Sequence, residues 1–261
     1  MAPRFFCEKL EGGTVVLAGD EFHHLRAVRR LGAGDEVELF DGRGRLAVCT
    51  VLRIGKREAE LEVREASDCP PPRVQLTLAT AIPKGERMDG LVEKATELGV
   101  WALWPLVTER SVVKDVGQMK HEGWKRRAVE ASKQCGRVWV PEIAAPMPLA
   151  GAIEQQGAML SLAKACPGAG GAMLTLLADP SAEAAPILQV LGHCPIPAQA
   201  RAEPSRILGF VGPEGGFTAE ESAALRSAGA MPVRLGEHIL RIETAAVALC
   251  AAVGLRAGCR V

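Results

Sequence analysis

The sequence predicts an α/β protein in two parts: a small β-barrel-like domain over residues 1–68 and a larger domain over 74–261 built on a parallel sheet, with 69–73 as linker. Three observations carry that expectation. Short apolar or alternating runs, separated by Gly and Asp turns, fill the first part. Ser67-Asp68-Cys69-Pro70-Pro71-Pro72 then breaks the composition, and three successive prolines make a stiff connector. Beyond it, strand-length and helix-length segments alternate, as parallel strands joined by crossover helices do.

In the first part, 14–17, 36–40, 47–54 and 59–63 read as strands, with Gly34-Asp35 and Asp41-Gly42 among the turns. Between the first two lies DEFHHLRAVRRLGAGD, where Phe22, Leu25, Val28 and Leu31 recur every three residues. Asp20 is placed to cap one short amphipathic helix there, and Gly32 to end it. Strands of this number and length sum to a small barrel.

In the second part, 74–82 (VQLTLATAI) is a mostly apolar strand. A helix over 84–98 follows, with Met88, Leu91, Val92, Ala95 and Leu98 on one face and Gly99 as its stop. An apolar run at 100–106 and a helix at 118–135 come next. Strands at 174–178, 207–211 and 231–235 then alternate with helices at 182–191, 218–228 and 239–255, and CPIPAQARAEPSR (194–206) reads as a surface excursion. The last helix, ETAAVALCAAVGL, is apolar on nearly all sides and must be buried, inside its own domain or against a second copy, which predicts a homodimer.

Composition limits the function classes. An apolar content of 48% excludes a wholly disordered chain, and 31 Lys+Arg balanced by 31 Asp+Glu excludes a uniformly basic or acidic one. No apolar run suits a membrane span, and MAPRFFCEKLEGG lacks the pattern of a signal peptide. Eight cysteines without C-x-x-C pairing read as reduced structural thiols in a cytoplasmic protein, and the five histidines lack metal-site spacing. Charge is uneven, however. Residues 110–137 hold Arg110, Lys114, Lys120, Lys125, Arg126, Arg127, Lys133 and Arg137 against Asp115, Glu122 and Glu130, a net of +5. Arg26, Arg29 and Arg30 cluster beside His23 and His24. Both an RNA-phosphate surface and an ordinary solvated helix face satisfy such density, so charge leaves the two open.

Two motifs are more specific. Gly209-Phe210-Val211-Gly212-Pro213-Glu214-Gly215-Gly216-Phe217-Thr218 runs from an apolar strand into a glycine-rich loop, and Thr218 with Glu221 forms a T-x-x-E capping box for the next helix. It matches neither the dinucleotide fingerprint nor the triphosphate loop. In the second, a strand ends at Leu235-Gly236 and the apolar helix starts near Arg241, placing Glu243 and Thr244 close to its free amides. Two such loops at the carboxyl ends of parallel strands form a usual cofactor crevice.

GPEGGFTAEE, LGEHILRIETA, KGERMDGLVEKATELGV, TERSVVK, EASKQCGR and the amino-terminal HHLRAVRRLGAGDEVELFDGRG together resemble the RsmE family of bacterial small-subunit ribosomal RNA methyltransferases, in order along essentially the whole chain. The resemblance implies a PUA-like β-barrel followed by a SPOUT-class α/β domain with a C-terminal trefoil knot. It also implies a homodimer that uses S-adenosylmethionine to methylate N3 of uridine 1498 in 16S rRNA of the 30S subunit.

Carried onto this chain, the resemblance implies one pocket wall from Gly212, Glu214, Gly215 and Gly216, and the other from Leu235, Gly236, Ile239, Leu240, Glu243 and Thr244, largely through backbone groups. Arg241 faces the methyl-transfer centre in this reading, with Glu243 nearby as a second candidate catalytic group. A phosphate clamp is the plainer role for Arg241. Arg4, His24, Arg26 and Arg30, with Lys125, Arg126 and Arg127, are the candidate RNA contacts. The chain departs from the family pattern at Ile242, where a threonine is usual, and at Arg29, where an aliphatic residue is usual. Two alternatives stand beside this reading: a SPOUT methyltransferase for another RNA site, and a non-catalytic RNA-binding assembly factor.

Overall fold

Alternating buried and exposed positions shape the amino-terminal sheet, as in the pattern of Thr14–Ala18, whose Val15 and Leu17 face inward. The computed structural model describes residues 2–165, 173–181, 183–193, 205–256 and 258. The first elements are β1 (Arg4–Phe6), β2 (Thr14–Ala18), α1 (Gly19–His23), β3 (Glu36–Phe40), β4 (Arg45–Ile54) and β5 (Glu58–Asp68). The strands form a five-stranded sheet in the order β1-β3-β4-β5-β2. Only the β1–β3 pair is parallel. Register shifts at Val48/Cys49 and Val51/Arg53 bend the long β4–β5 ribbon. Phe5, Leu25, Val37, Leu39, Cys49 and Leu61 are among the buried side chains at its centre.

The helix expected from Asp20 to Gly32 takes another form. Residues His24–Val28 make a π-helical turn after α1, Asp20 lies inside α1, and Arg29 N–H donates to the His24 carbonyl at 2.9 Å. The chain leaves the turn at Arg30, whose φ of 56° is left-handed, so the segment ends before Gly32. Strand β1, too short to carry a period, was not expected.

The chain divides into two compact units, Met1–Pro71 with Val129–Val140, and Pro72–Ala128 with Pro141–Val261. The segment 129–140 had been expected in the larger domain. In the first unit Val140 N–H donates to the Gly42 carbonyl at 3.0 Å, and the Trp139 indole N–H donates to the carbonyl oxygens of Cys69 and Pro70 at 3.1 and 3.2 Å. A Cβ on Gly44 would meet the Trp139 ring at 2.5 Å, so only glycine allows that approach. Lys133, whose side chain is 7% exposed, pairs with Glu21 at 2.7 Å and Glu130 at 2.6 Å.

The remaining elements are β6 (Val74–Ala81), α2 (Arg87–Glu97), β7 (Ala102–Val107), α3 (Gln118–Cys135), β8 (Glu142–Ile143), β9 (Met147–Pro148), α4 (Leu149–Ala165), β10 (Met173–Ala178), β11 (Ala185–Pro186), α5 (Ile187–Gly192), β12 (Ser205–Val211), α6 (Ala219–Ser227), β13 (Met231–Arg234) and α7 (Ile242–Arg256). Their strands pair in the order β11-β13-β10-β12-β6-β7-β8, with β9 also on β7, and every pairing is parallel. The predicted α/β architecture is therefore present. Helix α2 starts three residues later than expected, after Gly85 at φ +77°. Helix α5 takes only the second half of the helix expected at 182–191, Ala185–Pro186 forming β11 instead, and α4 was not expected. The excursion expected at 194–206 lies outside the described residues up to 204; Ser205 and Arg206 open β12. Helix α7 buries Ile242, Ala245, Ala246, Leu249, Cys250, Ala252 and Val253 within its own unit. A Cβ on Gly209 would meet the Leu249 side chain at 2.8 Å, so glycine sets how closely β12 and α7 pack.

Candidate active site

Strands β13, β10 and β12 are neighbours and parallel, so their carboxyl ends lie along one edge of the sheet. Leu177 and Ala178 end β10, Val211 ends β12 and Arg234 ends β13; all four border a cavity of about 320 Å³. Crevices outside strand carboxyl ends are where open α/β sheets bind ligands. The loop after β12 contributes Gly212, Pro213, Glu214, Gly216 and Phe217, and the loop after β13 contributes Leu235, Gly236, His238, Ile239 and Leu240. Ile242 and Ala245 of α7 and Asp179 after β10 complete much of the rest.

The first loop is held at many points. Gly212 sits so close to Phe217 that an added Cβ would meet its ring at 3.0 Å and its backbone nitrogen at 3.2 Å. Gly216 adopts φ +67° and donates its N–H to the Pro213 carbonyl at 2.8 Å. The expected capping box is formed: Glu221 N–H donates to Thr218 Oγ1 at 3.1 Å, and Thr218 N–H donates to Glu221 Oε2 at 2.9 Å. From the loop after β7, Glu109 N–H donates to Glu221 Oε1 at 2.8 Å and Arg110 donates to the Gly215 carbonyl at 2.7 Å. Lys114 in turn fixes that loop by donating to the carbonyls of Thr108 and Glu109 at 2.7 and 2.6 Å. The Glu220 carboxyl is held below its usual range by its own backbone amide first and by the Thr218 hydroxyl, with Arg110 adding a smaller effect.

The second loop is held less. Among the described residues, none from Gly236 to Leu240 takes part in a hydrogen bond, and Ile239 is 85% exposed. The loop is anchored at β13 before it and where Ala245 N–H donates to the Arg241 carbonyl at 2.8 Å after it.

Of the residues singled out in the sequence, Gly212, Glu214, Gly216, Leu235, Gly236, Ile239 and Leu240 line the cavity. Gly215, Glu243 and Thr244 do not line it, though each adjoins a residue that does. Arg241 is exposed beside Leu240 and Ile242. Glu243 Oε1 lies 3.5 Å from Arg87, while its Oε2 is buried with no hydrogen-bond partner among the described residues. Arg87 and Arg110, both bound to the first loop, were not among the candidates, because their partners are distant in sequence. Their sequence signals were membership of KGERMDG and TERSVVK and, for Arg110, a place in the +5 window.

The basic residues divide by environment. In the first unit Arg4 is 13% exposed, pairs with Glu38 at 2.6 Å and stacks over Phe40 at 6.0 Å, so it builds the sheet as well as carrying charge. His24 packs edge-on against Phe5 at 5.6 Å, whereas Arg26, Arg29 and Arg30 are exposed. In the second unit Lys125, Arg126 and Arg127 are exposed on α3; Lys125 pairs with Glu122 at 3.0 Å, and Arg127 lies 3.7 Å from Asp89. The +5 window is thus split between the two units, and Arg110, Lys114 and Lys133 of it are engaged in internal contacts. Buried thiols carry no comparable potential: burial raises Cys49 to about 11 and Cys250 to about 12, the state of packing residues. Among the described residues no group of His, Cys, Asp or Glu gathers as a metal site, and no helix is long and apolar enough to cross a membrane.

Comparison with known proteins places this architecture. Residues 70–254 match an RNA methyltransferase domain and residues 17–64 an RNA methyltransferase PUA domain. The chain is 34% identical to ribosomal RNA small subunit methyltransferase E of Synechocystis sp. over 240 residues, covering 91% of this chain and 72% of the relative. It is 32% identical to the protein of the same name from Aquifex aeolicus over 247 residues, covering 94% and 96%. It superposes on the crystal structure of a ribosomal RNA small subunit methyltransferase E from Neisseria gonorrhoeae bound to S-adenosyl methionine with a TM-score of 0.78 and 29% identity, covering 97% of each chain. The chain therefore belongs to the RNA methyltransferase family, among the ribosomal RNA small subunit methyltransferase E proteins.

Proposed function

We propose that the chain uses S-adenosylmethionine to methylate N3 of uridine 1498 in 16S rRNA, acting on the 30S subunit as a cytoplasmic homodimer. The observation that carries this is the cavity at the carboxyl ends of β10, β12 and β13, in a chain of this family. Its residues fit the ligand. A volume of about 320 Å³ is within the size range of small-molecule sites. Leu177, Val211, Leu240 and Ile242 offer apolar surface to a purine, and the unbonded backbone of Gly236–Leu240 offers polar groups to its edge and to a ribose. Asp179 and Glu214 are two acidic residues of the lining, each already beside an arginine, Arg226 at 2.9 Å and Arg87 at 3.7 Å. When bound, S-adenosylmethionine supplies an electrophilic methyl group on a sulfonium.

The chain's own residues do the rest. Gly212, Glu214, Gly215 and Gly216 hold one side of the ligand, and Leu235, Gly236, Ile239, Leu240, Glu243 and Thr244 the other. Arg241, exposed at the pocket's edge, stabilises the negative charge that develops on O2 and O4 as the imide nitrogen loses its proton. The first unit orients the RNA through Arg26, Arg30 and His24, with Arg4 stiffening the sheet behind them, and Lys125, Arg126 and Arg127 add phosphate contacts. The half-buried Val247, Ala248 and Ala251 of α7 support the homodimer, and strand order β13-β10-β12, with β10 between two later strands, is in line with a trefoil knot.

Undermodified 30S subunits and free 16S rRNA, each incubated with methyl-labelled S-adenosylmethionine, test the proposal by mapping of the labelled nucleotide. N3-methyluridine at position 1498 is expected in the 30S sample. Label at another nucleotide, or none from protein that binds the cofactor, rejects it.

A further inference from the structure

We propose that Arg87 is a positioning residue for methyl transfer, holding the carboxylates of Glu214 and Glu243, one from each pocket loop region, under a single guanidinium. The inference rests on the function proposed above. Arg87 opens α2, from the KGERMDG stretch to which no role has been given. Its Nε donates to the Lys84 carbonyl at 3.1 Å, which fixes the head of the side chain. Its Nη2 lies 3.7 Å from Glu214 Oε1 and its Nη1 lies 3.5 Å from Glu243 Oε1. Glu214 lines the cavity; Glu243 sits one residue into α7, beside the exposed Arg241 region.

Glu243 depends on Arg87 more than a surface carboxylate would. Among the described residues its Oε2 is buried without a hydrogen-bond partner and Arg87 is its single ion-pair partner. Removing the guanidinium leaves two negative charges beside the cavity where one cation had offset them. The sign of the consequences follows from Coulomb's law. A cationic ligand in the cavity gains relative to a neutral one of the same shape, while a polyanionic RNA approaching the edge is repelled. Glu243 also loses the contact that sets its orientation in the first turn of α7. The cofactor and its demethylated product differ in this way: the sulfonium of S-adenosylmethionine is cationic, and the thioether of S-adenosylhomocysteine is neutral. Their relative affinities therefore read the charge at Arg87 without any turnover.

The test compares Arg87→Met and Arg87→Lys with the unmodified protein. Calorimetry gives the affinities for S-adenosylmethionine and S-adenosylhomocysteine, single-turnover methylation of 30S subunits gives the transfer rate, and thermal melting checks the fold. Arg87→Met is expected to shift the preference toward S-adenosylmethionine by about tenfold and to slow transfer by about fiftyfold. Arg87→Lys, which keeps the charge, is expected to stay within about threefold of the unmodified protein on preference. An unchanged preference or an unchanged rate in Arg87→Met overturns the proposal. So does an equal loss of both affinities with a lowered melting midpoint, the mark of a merely structural arginine. If the unmodified protein binds the cofactor but methylates no RNA, the functional reading falls and the positioning role falls with it. A preference shift in Arg87→Met would then survive only as a property of the pocket's charge.

Discussion

The two loops that face each other across the cavity are built differently. The Gly212–Phe217 loop is braced by Arg110 on Gly215, by the Thr218–Glu221 box and by the Gly216–Pro213 turn. Across from it, Gly236–Leu240 has no hydrogen bond among the described residues and leaves Ile239 85% exposed. Gly236–Ile239 are exposed, so water can satisfy their amides in the free protein, and a ligand seated in the cavity can take over those bonds and cover Ile239. The difference teaches that one wall is braced by its own chain and the other is not; in the function proposed above, the first is a preformed seat and the second is completed by its ligand. Ordering that second wall offsets part of the binding free energy, and its groups then close over what they hold.

Substitutions on the two walls should accordingly fail in different ways. The largest effect belongs to the open side: Arg241→Ala is expected to slow single-turnover methylation by about 10²–10³-fold, the usual range for one electrostatic donor, with cofactor affinity within about twofold. A matching loss of cofactor affinity with an unchanged transfer rate would assign Arg241 to the cofactor instead. Next comes the braced side. Gly212→Val drives a branched side chain into Phe217, and overpacking of about 1–3 kcal/mol predicts cofactor binding weaker by about 10- to 100-fold by calorimetry. Ile239→Ala removes apolar cover the ligand would gain, so affinity should fall by about 3- to 10-fold with no change in melting temperature, since the side chain is exposed in the free protein. Smallest is Thr218→Ala, which removes half of the capping box and should cost about 1 kcal/mol in a denaturation experiment. If Ile239→Ala destabilises the free protein as much as Thr218→Ala does, the two walls are not unlike after all.

What was legible in the sequence was what local spacing encodes. The capping box needs only Thr218 and Glu221, three apart, and it is formed. The longer strands of both units follow from alternation or from apolar runs, and the parallel sheet from their rhythm, whereas β1, β8, β9 and β11, two or three residues each, leave no period to read. What was hidden depends on contacts across long stretches of chain. Arg110 reaches Gly215 across 105 residues, and no periodicity marks it. Residues 129–140 join the first unit because Trp139 packs on Gly44 and binds the carbonyls at Cys69 and Pro70, a fit that composition cannot reveal. Helix α4 has apolar residues around its circumference and two interior glycines, so it presents no helical stripe. The charge count could not decide for a related reason: Lys133 and Lys114 look like free cations in sequence, but buried pairing and carbonyl contacts engage them.

Hydrogen exchange at these two loops, measured with and without S-adenosylmethionine, tests the contrast most directly. In the free protein the amides of Gly236–Leu240 should exchange fast, while Gly216, Thr218 and Glu221 should already be protected by their bonds. On adding the cofactor, protection should rise mainly across Gly236–Leu240. Slow exchange of Gly236–Leu240 in the free protein, or protection gained mainly at the Gly212–Phe217 loop, would contradict the account of one braced wall and one completed by its ligand.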